Sequence, residues 1–186
     1  MAPRIAAKER EALVRKLAAI LPPGIKTDAL LRDAFEVRDP DLLGSARTLV
    51  YRARRQGEPV ALVIAPIAPD GYGGPIDLLV AVLKDGTLGG VRVVKDSETP
   101  GLGDKIEATK SDWILGFAGK SLVTPPLADW KVKRDGGAFD QFTGATITPR
   151  AVVKAVRNTL IYVRQHGQTL YSQLPAEKAA ENKGAP

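Results

Sequence analysis

A chain of 186 residues, 44% of them apolar, is long enough for one domain with a real core and too apolar for a disordered one. Its formal charge of +6 comes from Lys and Arg interspersed with Asp and Glu, a pattern that gives mild attraction to acidic or membrane surfaces and no nucleic-acid footprint. With no cysteine and His166 as the only histidine, the chain has no disulfides, thiolate-held clusters, Cys nucleophiles or His-pair metal sites, so redox or group-transfer chemistry would need an organic cofactor.

No run reaches the apolar length of a membrane span, and MAPRIAAKERE lacks the apolar stretch of a secretory signal, so the chain as written reads as soluble. Residues 6 to 21 place Leu13, Val14, Leu17, Ile20 and Leu21 at helical spacing, and Pro22-Pro23-Gly24 ends the pattern, which predicts an amphipathic helix. Between Arg47 and Val94 the texture changes to short β-branched runs, TLVYRARR, PVALVIAPIA, IDLLVAVL and GGVRVV. Lys84-Asp85-Gly86-Thr87 between two of them is a hairpin signal, because Asp-Gly accepts the positive φ of a tight turn. These runs predict an antiparallel sheet.

DSETPGLGDKIE then reads as a glycine-containing loop. Thr99-Pro100-Gly101-Leu102 within it fits a type II turn, with Pro presetting φ at the second position and Gly taking positive φ at the third. In KSDWILGFAGK, Ser111 is placed to cap a short helix carrying Trp113, Ile114 and Phe117, and DWKVKRD reads as a brief alternating strand. A last helix carries Val152, Val156, Leu160 and Val163 on one face, with His166 as a solvated residue near its end. Strands clustered centrally with helices at each end predict an α+β fold, a mainly antiparallel sheet with an N-terminal and a C-terminal helix packed on it. We expect one domain over 1–173 and a polar, disordered tail over 174–186.

The stretch TGATITPR, residues 143–150, supports two readings. Thr148 before Pro149 fits a helix N-cap with Pro at the first helical position, and with Gly144 in a turn this explains the stretch without any function. A helix N-terminus also stabilises an anion, and Thr146 sits just ahead of it beside Gly144 and small Ala145, where a hydroxyl can hydrogen-bond a phosphate or be esterified by one. ETPGLGDK poses the same choice between plain turn chemistry and a loop whose Leu102, bracketed by Glu98 and Lys105, meets a flat apolar ligand. It lacks the Gly-Lys-Ser/Thr ending of a nucleotide-triphosphate loop.

Taken together, ETPGLGDKIE, KSDWILGFAGK and DQFTGATITPRAVVKAV resemble the G subunit of the Rnf (Rsx) ion-translocating electron-transport complex, and the threonine motif resembles that of the C subunit of the sodium-translocating NADH:quinone reductase. The likeness runs in order from about APDGYGGPIDLLVAV to AVVKAVR. It implies an FMN-binding domain, with FMN held by a phosphoester to the last threonine of Asp-x-x-Ser/Thr-Gly-Ala-Thr. Here that pattern falls on Asp140, Thr143, Gly144, Ala145 and Thr146, so Thr146 would carry the flavin and Thr148 would cap the helix behind it. The resemblance also implies that Glu98, Thr99, Gly101, Leu102 and Gly103 lie beside the isoalloxazine ring, with Lys105 and Tyr72 nearby; with no cysteine and one histidine, no metal site is expected.

The same resemblance implies an electron carrier in a membrane complex, working with its other subunits on the periplasmic side of the cell inner membrane and loaded by a flavin transferase that uses FAD and a metal ion. Family members carry an N-terminal membrane anchor, whereas this chain begins at the amphipathic helix, so an anchor is expected to have been removed. Pro149 stands where the family often has a small polar residue. Two other readings share the residues: a covalent-FMN carrier of a different respiratory chain, and a flavin-free extracytoplasmic binding or assembly module.

Overall fold

A computed structural model describes residues 6–173; the expected disordered tail, 174–186, lies outside them. The chain order is helix α1 (Ala7–Ile20), helix α2 (Thr27–Arg32), strand β1 (Ala34–Val37), helix α3 (Pro40–Leu43), strands β2 (Thr48–Arg55), β3 (Glu58–Ile64), β4 (Ile67–Ala68), β5 (Ile76–Leu83) and β6 (Leu88–Lys95), and helix α4 (Ile147–Ser172). Four short 3-10 helices, Gly103–Ile106, Trp113–Phe117, Leu127–Asp129 and Lys133–Asp135, fill the chain between β6 and α4. The expected α+β architecture is what forms.

All strand pairs are antiparallel, in the order β1-β2-β3-β5-β6. β3 and β4 run along the same edge of β5 as one interrupted strand. Ile64 pairs with Val80, the carbonyl of Pro66 accepts from Leu78, and Ile67 resumes opposite Asp77. Pro66 has no N–H to give, so the ladder breaks there and restarts. The hairpin at 84–87 forms as the Asp-Gly pair implies, with φ of 90° at Gly86 and the Asp85 carboxylate accepting from the Thr87 N–H at 3.0 Å.

Both sheet faces are covered. Phe35, Val50, Leu62, Ile64, Leu78, Val80 and Val91 face the Val152, Val156, Leu160 and Val163 stripe of α4 and the 3-10 region. The alternate residues Tyr51, Ala53, Ala61, Val63, Leu79 and Ala81 pack against Leu17 and Ile20 of α1 and Leu30 of α2. A sheet buried on two sides needs the near-continuous apolar runs seen in β3 and β5. Where α1 meets β6 the approach is close: a Cβ on Gly89 would stand 2.3 Å from the Ile20 carbonyl oxygen.

Two local expectations are corrected. DWKVKRD is not a strand: Val132 makes a single bridge to Phe139, and the chain then turns through Lys133–Asp135 into Gly136 at φ 89°. A Cβ on Gly137 would lie 2.0 Å from the Lys131 carbonyl oxygen, so the segment doubles back too tightly for a ladder. Next, α4 starts at Ile147, and Thr148 lies inside its first turn, where its side chain caps nothing. Pro149 is tolerated as the third helical residue, because first-turn N–H groups have no helical acceptor in any case. His166 is exposed near the end of α4 as expected, its ring 4.6 Å from that of Tyr162, and the helix runs on through Gly167 to Ser172.

Candidate functional site

The loop after β6 is shaped by its own sequence. Leu102 N–H donates to the Thr99 carbonyl at 3.0 Å and Gly101 takes φ 80°, which forms the turn that Pro100-Gly101 encodes. The Asp104 carboxylate accepts from Gly101 N–H at 2.8 Å and braces it. A second turn precedes α4: Ala145 N–H donates to the Phe142 carbonyl at 3.1 Å, with Gly144 at φ 77°. That turn is anchored from behind by Phe142, whose ring meets Trp113 at 5.2 Å, and by Trp113 Nε1, which donates to the Asp140 carbonyl at 3.0 Å.

Glu98 joins these pieces. Its buried carboxylate accepts from Tyr72 N–H at 3.1 Å, from Gly73 N–H at 2.6 Å and from the hydroxyl of Thr148, whose own side chain is fully buried. One carboxylate thus fastens the loop before β5, its own loop after β6 and the first turn of α4. The donors are needed, since a buried carboxylate without partners is costly. Close approach at this junction also needs glycine: a Cβ on Gly73 would stand 2.0 Å from the Ser97 carbonyl oxygen, and one on Gly103 would stand 3.0 Å from the Thr148 hydroxyl.

Above the junction opens a cavity of about 340 Å³, within the roughly 300–1,000 Å³ of ligand sites. Glu98, Thr99, Leu102 and Gly103 line one side; Gly144, Ala145, Thr146 and Thr148 line the other, and Tyr72 stands at the mouth. Four other sequence candidates do not line it. Gly101 holds the supporting turn, and Lys105 sits in the 3-10 turn Gly103–Ile106. Thr143 is exposed at the corner of the 142–145 turn. Asp140 is exposed, with its carboxylate 2.6 Å from Lys133 Nζ. Asp140 therefore acts on this segment through its backbone carbonyl, which Trp113 holds.

Two residues of the site escaped the sequence reading. Ile147 lines the cavity and is 47% exposed; nine residues from Val156, it falls on the helix face opposite the core stripe, and an apolar residue there was the available signal. Gly73 was passed over within DGYGGP, where clustered glycines beside Tyr72 marked a close backbone approach.

The lining suits a flat, partly apolar group with an anionic tail. Tyr72, Leu102 and Ile147 present exposed apolar surface, 72%, 42% and 47%, around the mouth. The N-terminus of α4, with its free N–H groups and positive dipole end, supplies the anion-stabilising element beside the Thr146 hydroxyl. FMN has this division, and the residues present fit it.

Residues 71–161, the span that contains both loops and Thr146, match the FMN-binding domain family. Relatives named as the G subunit of the ion-translocating oxidoreductase complex align along nearly all of the chain. That of Vibrio cholerae serotype O1 (strain M66-2) is 48% identical over 173 residues, covering 92% of this chain and 82% of the relative. That of Pseudomonas aeruginosa (strain UCBPP-PA14) is 50% identical over 178 residues, covering 95% and 82%. That of Shewanella loihica is 47% identical over 171 residues, covering 91% and 81%. With this identity sustained over the sheet, both loops and the long helix, the chain belongs to the G-subunit family of ion-translocating oxidoreductase complexes, built on an FMN-binding domain.

Proposed function

We propose that this chain is an electron-carrier subunit of a membrane-bound, ion-translocating oxidoreductase complex, and that it holds FMN through a phosphoester to Thr146. The names of its relatives support the complex, and the family match supports the cofactor. The observation that carries the attachment point is the unequal state of the neighbouring hydroxyls. Thr148 is buried and committed to Glu98, Thr143 is turned out at the corner of its turn, and Thr146 lines the cavity at the start of α4.

In this reading the Thr146 oxygen forms the bond to phosphorus at the flavin side of FAD. The bond between the two phosphates breaks, AMP leaves, and the hydroxyl proton passes to the loading enzyme, a separate flavin transferase that uses a metal ion. The diester left behind carries one negative charge, which the first turn of α4 stabilises by about 0.3–1 kcal/mol. FMN, when bound, supplies reversible uptake and release of electrons. The chain's part is to orient it: Leu102, Ile147 and Tyr72 offer apolar surface, while Glu98 holds both loops against the helix. Among the described residues no helix is long and apolar enough to cross a membrane; we place the domain on the periplasmic side of the cell inner membrane, tethered there by a membrane anchor.

Co-expression with the transferase tests this directly. Intact mass and in-gel flavin fluorescence after denaturation should report one covalent FMN, lost in Thr146→Val and kept in Thr143→Val. An adduct mapped to another residue, or flavin released on denaturation, overturns the attachment. A colourless chain under these conditions favours a flavin-free module.

A further inference from the structure

The 26-residue sequence of α4, ITPRAVVKAVRNTLIYVRQHGQTLYS, contains four cations and no carboxylate. At 100° per residue Arg150, Lys154, Arg157 and Arg164 fall within one narrow stripe, about 21 Å long at 1.5 Å per residue. Solvated helices ordinarily mix the two signs at i,i+4, and cations near a helix N-terminus oppose its dipole. Arg150, the fourth residue of α4, therefore stands against the helix's own preference.

Neighbouring elements neutralise only part of the stripe. Asp135 pairs with Arg150 and Asp70 with Lys154. Arg157 bonds the side chain of Asn158, and among the described residues neither it nor Arg164 has a carboxylate partner. Exposed Lys131 adds a fifth cation beside a shallow cavity of about 320 Å³ that Arg150, Lys154 and Arg157 also line. The stripe begins about 6 Å along the helix from Thr146.

We infer that this stripe is the docking surface for an acidic face of a partner protein, which it seats beside the cofactor cavity. Three of the four cations are Arg, whose planar fork suits paired carboxylates. Complementary charge sets encounter rate and orientation, which an electron-exchange partner needs. An anionic membrane is the weaker fit, because a helix lying in lipid needs an exposed apolar face. On α4 the large exposed apolar side chain is Ile147, at the cavity mouth. The electron-exchange role rests on the carrier function proposed above; the docking itself does not.

The test uses the full-length chain and the remaining subunits of its complex, purified without it. Lys154→Glu/Arg164→Glu is compared with Lys95→Glu/Lys110→Glu, which changes net charge equally elsewhere on the exposed surface. We expect the stripe variant to bind at least about ten-fold more weakly at low salt with its melting temperature kept, the control to bind as wild type, and salt to weaken wild-type binding. The neutral pair Lys154→Gln/Arg164→Gln should fall between them and serves if the reversal misfolds. Equal binding by both doubles, salt-independent binding, or no wild-type binding overturns the inference. Stripe-dependent capture by vesicles of mixed zwitterionic and anionic phospholipid, without binding to the other subunits, also overturns it. Flavin fluorescence on denaturing gels is read in parallel: salt-sensitive docking by a chain that never takes up flavin would sink the carrier reading and leave the docking surface standing.

Discussion

Glu98 shows how one side chain decides whether two loops and a helix form a site. Its two oxygens face three donors, so Glu98→Gln turns an acceptor into an NH₂ that must oppose at least one of them. We expect a loss of about 1–3 kcal/mol, seen as a lower melting temperature, together with reduced flavin loading. Part of this was legible in the sequence: Thr-Pro-Gly-Leu specified its turn, and the family resemblance, not local chemistry, pointed to Thr146, which lines the cavity. What misled was Thr148. A Thr-Pro step fits an N-cap by local rules, and nothing local reveals a carboxylate 50 residues earlier that claims the hydroxyl.

Among the elements, the end of α4 depends on a residue in β2. Buried Arg52 donates to the carbonyls of Leu170 at 3.1 Å, Tyr171 at 2.7 Å and Gln173, and it is paired with Asp33 at 2.9 Å. These are carbonyls that a helix C-terminus leaves without partners. Arg52→Met should cost about 3 kcal/mol or more by stranding them and weakening the hold on Asp33, a loss measurable by chemical denaturation. Burial opposes charge on Asp33, but hydrogen bonds and charge from Arg52 and Arg54 outweigh it and hold the carboxyl below its ordinary 3.8. A depressed folded value means that this stabilisation is complete above pH about 3.8 and is lost as pH falls through the lower folded value. Asp33→Asn should therefore flatten the acid limb of a stability profile in that range while lowering stability at neutral pH. The hairpin at 84–87 could be read locally, because Asp-Gly fixes its turn. The region from 22 to 46 could not: α2, β1 and α3 are too short for periodicity to show. Asp39-Pro40 with Gly44 did carry the cap and stop signals of α3, which forms with Asp39 accepting from Leu42 N–H and Gly44 at φ 74°.

At the scale of the whole molecule, the sheet separates two cores with different duties. The α4 side carries the cavity and the α1 side carries none of its lining residues. Gly89→Val should drive side-chain atoms into the Ile20 carbonyl, cost about 1–3 kcal/mol by overpacking and lower the melting temperature. On the attachment proposed above, covalent flavin per folded chain should stay at the wild-type level, which mass spectrometry of the folded fraction would check. The antiparallel α+β plan was legible because β-branched runs and turn residues alternate through the middle of the chain. The covering of both faces was written in the same runs, which lack alternation, but which element covers which face depends on contacts far apart in sequence.

The junction at Glu98 also has a bearing on biogenesis. Its three partners are contributed by positions 72, 73 and 148, so the cavity floor exists only after the final helix has come to rest on the sheet. A nascent polypeptide released before that helix has emerged holds no finished pocket, and the same is true of one kept open by urea. If loading requires the pocket, such chains should refuse the prosthetic group in a transferase assay and accept it upon refolding, so colour in this protein would certify completed synthesis.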